Sequence, residues 1–187
     1  MAQRIVNGEQ YESLLIKGDV DGGSLTVDSR AYQSVVTFAR PGDTTAYTAG
    51  DVIGTSGTTA LTLSGVGPSG GYVLVQSAAL FIASTSVPAG MAAFRLHLFN
   101  AAPSGIADNA AFDLISADTD KYIGYVDVPT PSDLGSILYG QADYSGRLVK
   151  LASGNTNLVG RLETRGAYTP ASGTVYELRM STMEAGL

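Results

Sequence analysis

The chemistry open to this chain is limited by its single histidine, His97, and by the absence of cysteine. These counts exclude metal sites built from several histidines and every thiolate site, and a Ser-His-Asp triad would have to use His97. His97 alternates with Phe94, Leu96 and Leu98, which is the period of a half-buried strand. We therefore predict a structural histidine, at the surface or between two sheets, in a protein that is not an enzyme.

Two weaker motifs favour turns over ligand sites. Residues 65–70 match the pattern G-x-G-x-x-G, but a strand-like segment follows from Tyr72 where a dinucleotide site requires a helix. Residues 19–21 and 118–120 each hold two Asp residues that could bind calcium, yet both lack the remaining ligands of a calcium loop. Asp in turns commonly bonds its own backbone. We predict no metal and no cofactor.

The ten tyrosines leave one binding function open. Flat aromatic rings stack on sugars, but they also cover the ends of β-sandwiches and lie in protein interfaces. A carbohydrate-binding module therefore remains an alternative. The tyrosines in or beside predicted loops are Tyr47, Tyr139, Tyr144 and Tyr168.

Charge and hydropathy exclude two classes of partner. The net charge is −6 with scattered basic residues, which argues against nucleic acid because phosphate affinity comes mostly from Lys and Arg. The most apolar segment, 72–83, is interrupted by polar residues and falls short of the roughly 20 residues that a membrane span needs. From the polar residues that follow Met1, we also expect no secretory signal peptide. We predict no nucleic-acid and no membrane partner.

From residue 34 onward, short strand-like segments separated by Gly, Pro, Ser and Asp predict an all-β, single-domain β-sandwich. Long connections, such as 100–120, favour a jelly roll over a meander. One short helix is predicted over 109–116, with Asp108 as its cap. The predicted strands are 34–39, 51–53, 60–63, 72–84, 93–99, 122–128, 136–139, 147–151, 158–164 and 175–182.

The first 33 residues differ from the rest. We predict that 1–33 form an N-terminal arm or a first strand, and that 34–187 form the sandwich domain. The arm contains an apolar patch that could contact a partner. This patch consists of Tyr11, Leu14, Leu15 and Ile16.

The segment 40–54, Arg-Pro-Gly-Asp-Thr-Thr-Ala-Tyr-Thr-Ala-Gly-Asp-Val-Ile-Gly, resembles virion structural proteins of tailed bacteriophages. The likeness continues through the strand at Tyr72, the 86–90 turn, the 94–99 strand and the 103–114 loop, and spans about 34–183. The chain looks like the small jelly-roll proteins that decorate, or cement, phage heads.

This resemblance implies a capsid decoration protein that binds the major capsid protein and forms a homotrimer, a symmetry common among homo-oligomers. It implies synthesis in the host bacterial cytoplasm and a final place on the capsid surface. The arm would then reach a neighbouring subunit or the shell. The alternatives are another virion component, such as a tail, baseplate or head-fibre protein, and the carbohydrate-binding module.

Overall fold

A computed structural model describes residues 4–6, 9–11 and 30–185. The chain divides into two compact units, residues 1–30 and residues 31–187. In the first unit, β1 (Arg4–Val6) pairs antiparallel with β2 (Glu9–Tyr11). Tyr11 of the predicted partner-binding patch is the last residue of β2. The other three, Leu14, Leu15 and Ile16, lie outside the described residues.

The second unit consists of ten strands. They are β3 (Ala31–Ala39), β4 (Val52–Ile53), β5 (Leu61–Leu63), β6 (Tyr72–Ile82), β7 (Phe94–Phe99), β8 (Tyr122–Val128), β9 (Ser132–Asp133), β10 (Leu138–Lys150), β11 (Leu158–Thr164) and β12 (Val175–Ala185). The first sheet has the order β3-β12-β6-β10-β9, and the second has β4-β11-β7-β8 with β5 also paired to β11. All pairs are antiparallel. The predicted all-β sandwich is confirmed, and the jelly roll stays a prediction.

The core lies between the two sheets because each strand points alternate residues toward it. In β12, the fully buried Tyr176, Leu178 and Met180 alternate with the more exposed Glu177 and Arg179. This is the period of two that a pleated strand imposes. Burying each large apolar side chain contributes roughly 1.5–3 kcal/mol, so the alternation drives the sheets together.

The connection between β7 and β8 covers part of the outer face of the second sheet. Leu96 and Leu98 of β7 belong to the core, and His97 lies on the opposite face. There the ring of Phe112, from the connection, stacks on His97 with 3.6 Å between ring centroids. His97 is only 3% exposed. The prediction of a surface or inter-sheet position is wrong, because a third layer buries this histidine.

The helix predicted over 109–116 does not form. The backbone N–H of Asn109 donates to Val52 O, and that of Val52 donates to Ala110 O, so the segment bonds to β4. Asn109 has a positive φ of 60°, which is incompatible with a right-handed helix. In the described part of the chain, helical structure is a 3₁₀ turn at Ser116–Asp118.

The strands predicted at 136–139 and 147–151 are parts of one long strand, β10. The polar residues between them continue to pair with β6, because a bulge between Asp143 and Arg147 absorbs two additional residues. Gly146 adopts the left-handed φ of 66° inside this bulge, a conformation that glycine tolerates at little cost.

Candidate binding groove and neighbouring surfaces

An open groove of about 570 Å³ lies where β8 and β10 meet, on one side of the sandwich. β8 is an edge strand of the second sheet, and β10 has only the two-residue β9 beyond it in the first sheet. We refer to this cavity as the tyrosine groove. It is lined by Tyr122, Ile123, Gly124, Tyr125, Tyr144 and Arg147.

Irregular strand pairing shapes the tyrosine groove from both sides. On β10, Tyr144 belongs to the bulge between Asp143 and Arg147. On β8, one additional residue lies between Tyr122 and Gly124, where the register with β7 shifts. Bulges bend a strand and change the direction of its side chains. The irregularities on β8 and β10 therefore bring side chains from two different sheets into one groove.

Gly124 makes room for the cation in the groove. Its φ is +140°, and a Cβ built on it would overlap the guanidinium of Arg147. Arg147 is exposed, and it forms no hydrogen bond or ion pair with any residue that the structure describes. The guanidinium therefore lies against the Gly124 backbone, and none of the described residues neutralises its charge.

Tyr125 is held in place by a neighbouring ion pair. Arg95 makes two contacts with the Asp127 carboxylate, at 2.7 and 3.0 Å, and its Cζ lies 3.7 Å from the centre of the Tyr125 ring. The hydrogen bonds from Arg95 lower the pKa of Asp127 below its ordinary value. Tyr125 remains 44% exposed. The pair is neutral overall and leaves the charge of Arg147 uncompensated.

Tyr122 connects the groove to a buried polar chain. Its hydroxyl lies 3.0 Å from Nδ1 of His97, whose Nε2 lies 2.7 Å from Oε2 of Glu163. Arg165 donates to the other Glu163 oxygen at 2.6 Å. Burial lowers the pKa of His97, and the hydrogen bond to Glu163 offsets only part of this effect. A neutral, fully bonded histidine of this kind fixes the orientation of Tyr122.

We expect the free energy of unfolding to fall as the pH is lowered from about 7 toward 5, and His97 to cause part of that fall. In the unfolded chain His97 has its ordinary pKa of 6.5, and in the folded protein the pKa is lower. The unfolded state therefore binds more protons in this window, so the stabilisation present above pH 6.5 is lost as the pH falls through the folded pKa. Urea titrations of wild type and His97→Gln measure the effect. Identical pH slopes for the two proteins would contradict it.

Two of the four loop tyrosines that the sequence left open as sugar contacts are buried. Tyr47 and Tyr168 are 1% and 3% exposed, and burial raises the pKa of both hydroxyls. These two residues pack at one end of the sandwich core and are unavailable to a ligand. Tyr144 does line the groove, whereas Tyr139, on the same strand β10, packs against Phe81 in the first sheet.

Tyr122, Tyr125 and Arg147, which line the groove, were not singled out by sequence reasoning. The available signal was the cluster Tyr122-Ile123-Gly124-Tyr125, in which a glycine interrupts an aromatic strand. Glycine within a strand often marks a bulge or a close backbone approach. Arg147 gave no local signal, since its position depends on pairing between β10 and β6.

A second surface lies on the outer face of the first sheet, and we call it the outer patch. Phe81 packs against Tyr139 with 4.9 Å between ring centroids, and Arg179 lies 4.4 Å from the Phe81 ring centre. Arg179 also pairs with Glu177 at 2.6 Å, so the charges cancel. A shallow depression of about 250 Å³ is lined by Thr37, Phe81, Ala83, Ile137, Val175, Glu177 and Arg179.

The weaker motifs do not form ligand sites in the described residues. Both oxygens of Asp118 are engaged, one by Lys121 Nζ at 2.8 Å and the other by the Ser104 backbone N–H at 2.7 Å. No group of three or more potential metal-ligating side chains occurs in residues 30–185. Residues 65–70 form the loop between β5 and β6, as predicted, and 19–21 lie outside the described residues.

No protein-family model and no curated protein sequence matches this chain. A lipoprotein from Bacteroides thetaiotaomicron is similar at 9% identity and a TM-score of 0.33, over 83% of this chain and 84% of that chain. A chain of Triatoma virus is similar at 14% identity and a TM-score of 0.24, over 84% of this chain and 66% of that chain. Similarity at this level assigns neither a family nor a function. The part of the chain that the structure describes contains no helix long and apolar enough to cross a membrane.

Proposed function

We propose that this protein is a non-enzymatic structural protein of a tailed bacteriophage that binds and stabilises the capsid surface. The resemblance over 34–183 first suggested this function, and a β-sandwich domain is compatible with it. Other virion locations, in a tail, baseplate or head fibre, are the alternatives within the same class.

The observation that carries the proposal is the outer patch. Val175 is 39% exposed and Ile137 is 37% exposed, and they lie with Phe81 in one depression. Contiguous exposed apolar groups of this kind mark interaction surfaces more often than isolated ones do. The patch holds one ion pair, Glu177–Arg179, and so carries no net charge. An apolar, neutral, gently concave surface suits a protein partner, which we assign as the major capsid protein.

The N-terminal arm supplies a second contact in this proposal. Its apolar patch, defined above, would reach a neighbouring copy or the shell, and the protein would bind as a homotrimer. Two contacts on one trimer multiply the avidity for a symmetric shell.

Cosedimentation with capsids assembled without the protein tests the proposal, using shells of the phage that encodes it. Wild type is expected to pellet at a saturating stoichiometry, and light scattering is expected to give a trimer mass. Val175→Glu combined with Ile137→Glu, and deletion of residues 1–20, should each weaken binding at least about tenfold, because each removes one set of contacts.

The matched control is Ile115→Glu. Ile115 is 40% exposed but lies in the β7–β8 connection, away from the outer patch. This variant should bind like wild type. Binding that survives both the double substitution and the deletion unchanged would refute the proposed contacts, and an absence of wild-type binding would refute the proposed function.

A further inference from the structure

The tyrosine groove is a positively charged site on an acidic protein. The whole chain carries −6, yet the groove holds Arg147, which has no acidic partner in the part of the chain that the structure describes. The neighbouring cations Arg95 and Arg165 are neutralised by Asp127 and Glu163. An exposed guanidinium with no acidic partner among the described residues is suited to a carboxylate, which it can bind through two parallel hydrogen bonds.

The rings around Arg147 supply a second kind of contact. Tyr125 is anchored by Arg95, and Tyr144 is half-buried and packs against the hydrophobic core. Tyr122 is fixed through His97. Rigid tyrosines offer apolar contact area and a hydroxyl at little cost in conformational entropy. Rings of this kind suit the C–H faces and hydroxyl groups of a sugar.

We propose that the tyrosine groove binds a saccharide that carries a carboxylate, with Arg147 on the carboxylate and the tyrosine rings on the sugar. Both uronic acids and sialic acids have this chemistry. A neutral sugar would leave Arg147 unused, and a nucleic acid would need several cations where the groove has one. This inference concerns a different surface from the outer patch and does not depend on capsid binding.

Isothermal titration with matched acidic and neutral probes tests the inference. Trigalacturonic acid is compared with its methyl ester, and sialyllactose with its methyl ester, so that the members of each pair differ in charge and share the same sugars. At least one acid should bind at least about tenfold more tightly than its neutral partner, as expected when a charged hydrogen-bonded contact is gained. The pair that shows the difference identifies the class of acid.

Substitutions then locate the site. Arg147→Gln removes the charge and should weaken binding of the acid at least about tenfold, while the neutral partner is unaffected. Tyr125→Ala should weaken both. The matched control is Arg179→Gln, since Arg179 is also an exposed arginine of a β-strand, but lies in the outer patch. It should bind like wild type. Thermal unfolding confirms that each variant is folded.

Four results would each overturn the inference. One is equal affinity for acid and neutral partner, and another is the absence of binding to all four probes. The third is acid binding that Arg147→Gln leaves intact. Chemical-shift changes confined to the outer patch during the titration would also place the saccharide there and refute its binding in the tyrosine groove.

Discussion

Replacing Asp108 with alanine is expected to destabilise the fold by about 3–5 kcal/mol, the range for breaking a buried charge pair. One oxygen of Asp108 accepts from the Tyr47 hydroxyl and from the Gly54 backbone N–H, both at 2.8 Å. The other lies 3.8 Å from the guanidinium of Arg40, whose side chain is 0% exposed. Without Asp108, Arg40 retains only the half-exposed Asp43 as an acidic partner, and the other two donors lose their acceptor.

Urea denaturation measures this loss, with two comparisons that separate its causes. Asp108→Asn keeps an oxygen for Tyr47 and Gly54 but not the charge facing Arg40, so we expect a smaller loss of about 1–3 kcal/mol. Asp133→Ala is the control, because exposed Asp133 accepts only a turn hydrogen bond from Gly135. If Asp108→Ala and Asp133→Ala are equally stable, the assigned role of Asp108 is wrong.

A methyl group at Gly90, introduced by Gly90→Ala, should lower the free energy of unfolding almost as much as Asp108→Ala. Gly90 has φ +83°, and a Cβ there would overlap the backbone oxygen of Ala167. The left-handed conformation alone costs an L-residue about 1–2 kcal/mol, and forced overpacking adds about 1–3 kcal/mol. A backbone atom cannot swing aside as a side chain does. We therefore expect Gly90→Ala to lose about 3 kcal/mol or more, measured from the same urea transitions.

Gly105→Ala provides the matched control. No atom lies within 4 Å of a Cβ built on Gly105, and its backbone is outside the left-handed region. Its stability should remain within about 0.5 kcal/mol of wild type. If the Gly90 and Gly105 variants are equally stable, the turn at Gly90 can move away from Ala167. That result would contradict a fixed close approach between Gly90 and the Ala167 backbone oxygen.

The strands were predictable wherever the sequence of a single segment places apolar residues at every second position. The bounds of β8 and β11 agree with the sequence prediction, and β7 differs by one residue. In these segments each side chain's environment is set by the pleat of its own strand, so a period of two in the sequence is sufficient evidence. The prediction of an all-β sandwich follows from the succession of such strand-like segments along the chain.

Features that depend on distant partners were not predictable. Asp108 looked like a helix cap, but its acceptors are used by Tyr47 and Gly54, which come from another part of the chain. The polar middle of β10 looked like a loop, since nothing local shows that β6 will pair with it. Tertiary hydrogen bonds outweighed local propensity in both cases.

The candidate site was only partly predictable for the same reason. Tyr144 was identified as a possible sugar contact, but Tyr47 and Tyr168 proved to be core residues. The groove brings together β8 and β10 through two register shifts. A one-residue shift reverses which side chains share a face, so the meeting of Tyr122 with Arg147 cannot be inferred from either strand alone.

The position of β12 has a consequence for how the protein is made. β12 is the last strand described, yet it lies between β3 and β6 in the middle of the first sheet. While the ribosome is still synthesising the residues before β12, β3 and β6 lack the strand that joins them. The long apolar β6 then has one edge that has not yet paired with β12. Strand pairings between distant parts of a chain form slowly and leave apolar surface exposed to aggregation. The first sheet therefore cannot be completed before β12 has been synthesised, and a nascent chain stalled before Val175 would be a natural client for chaperones.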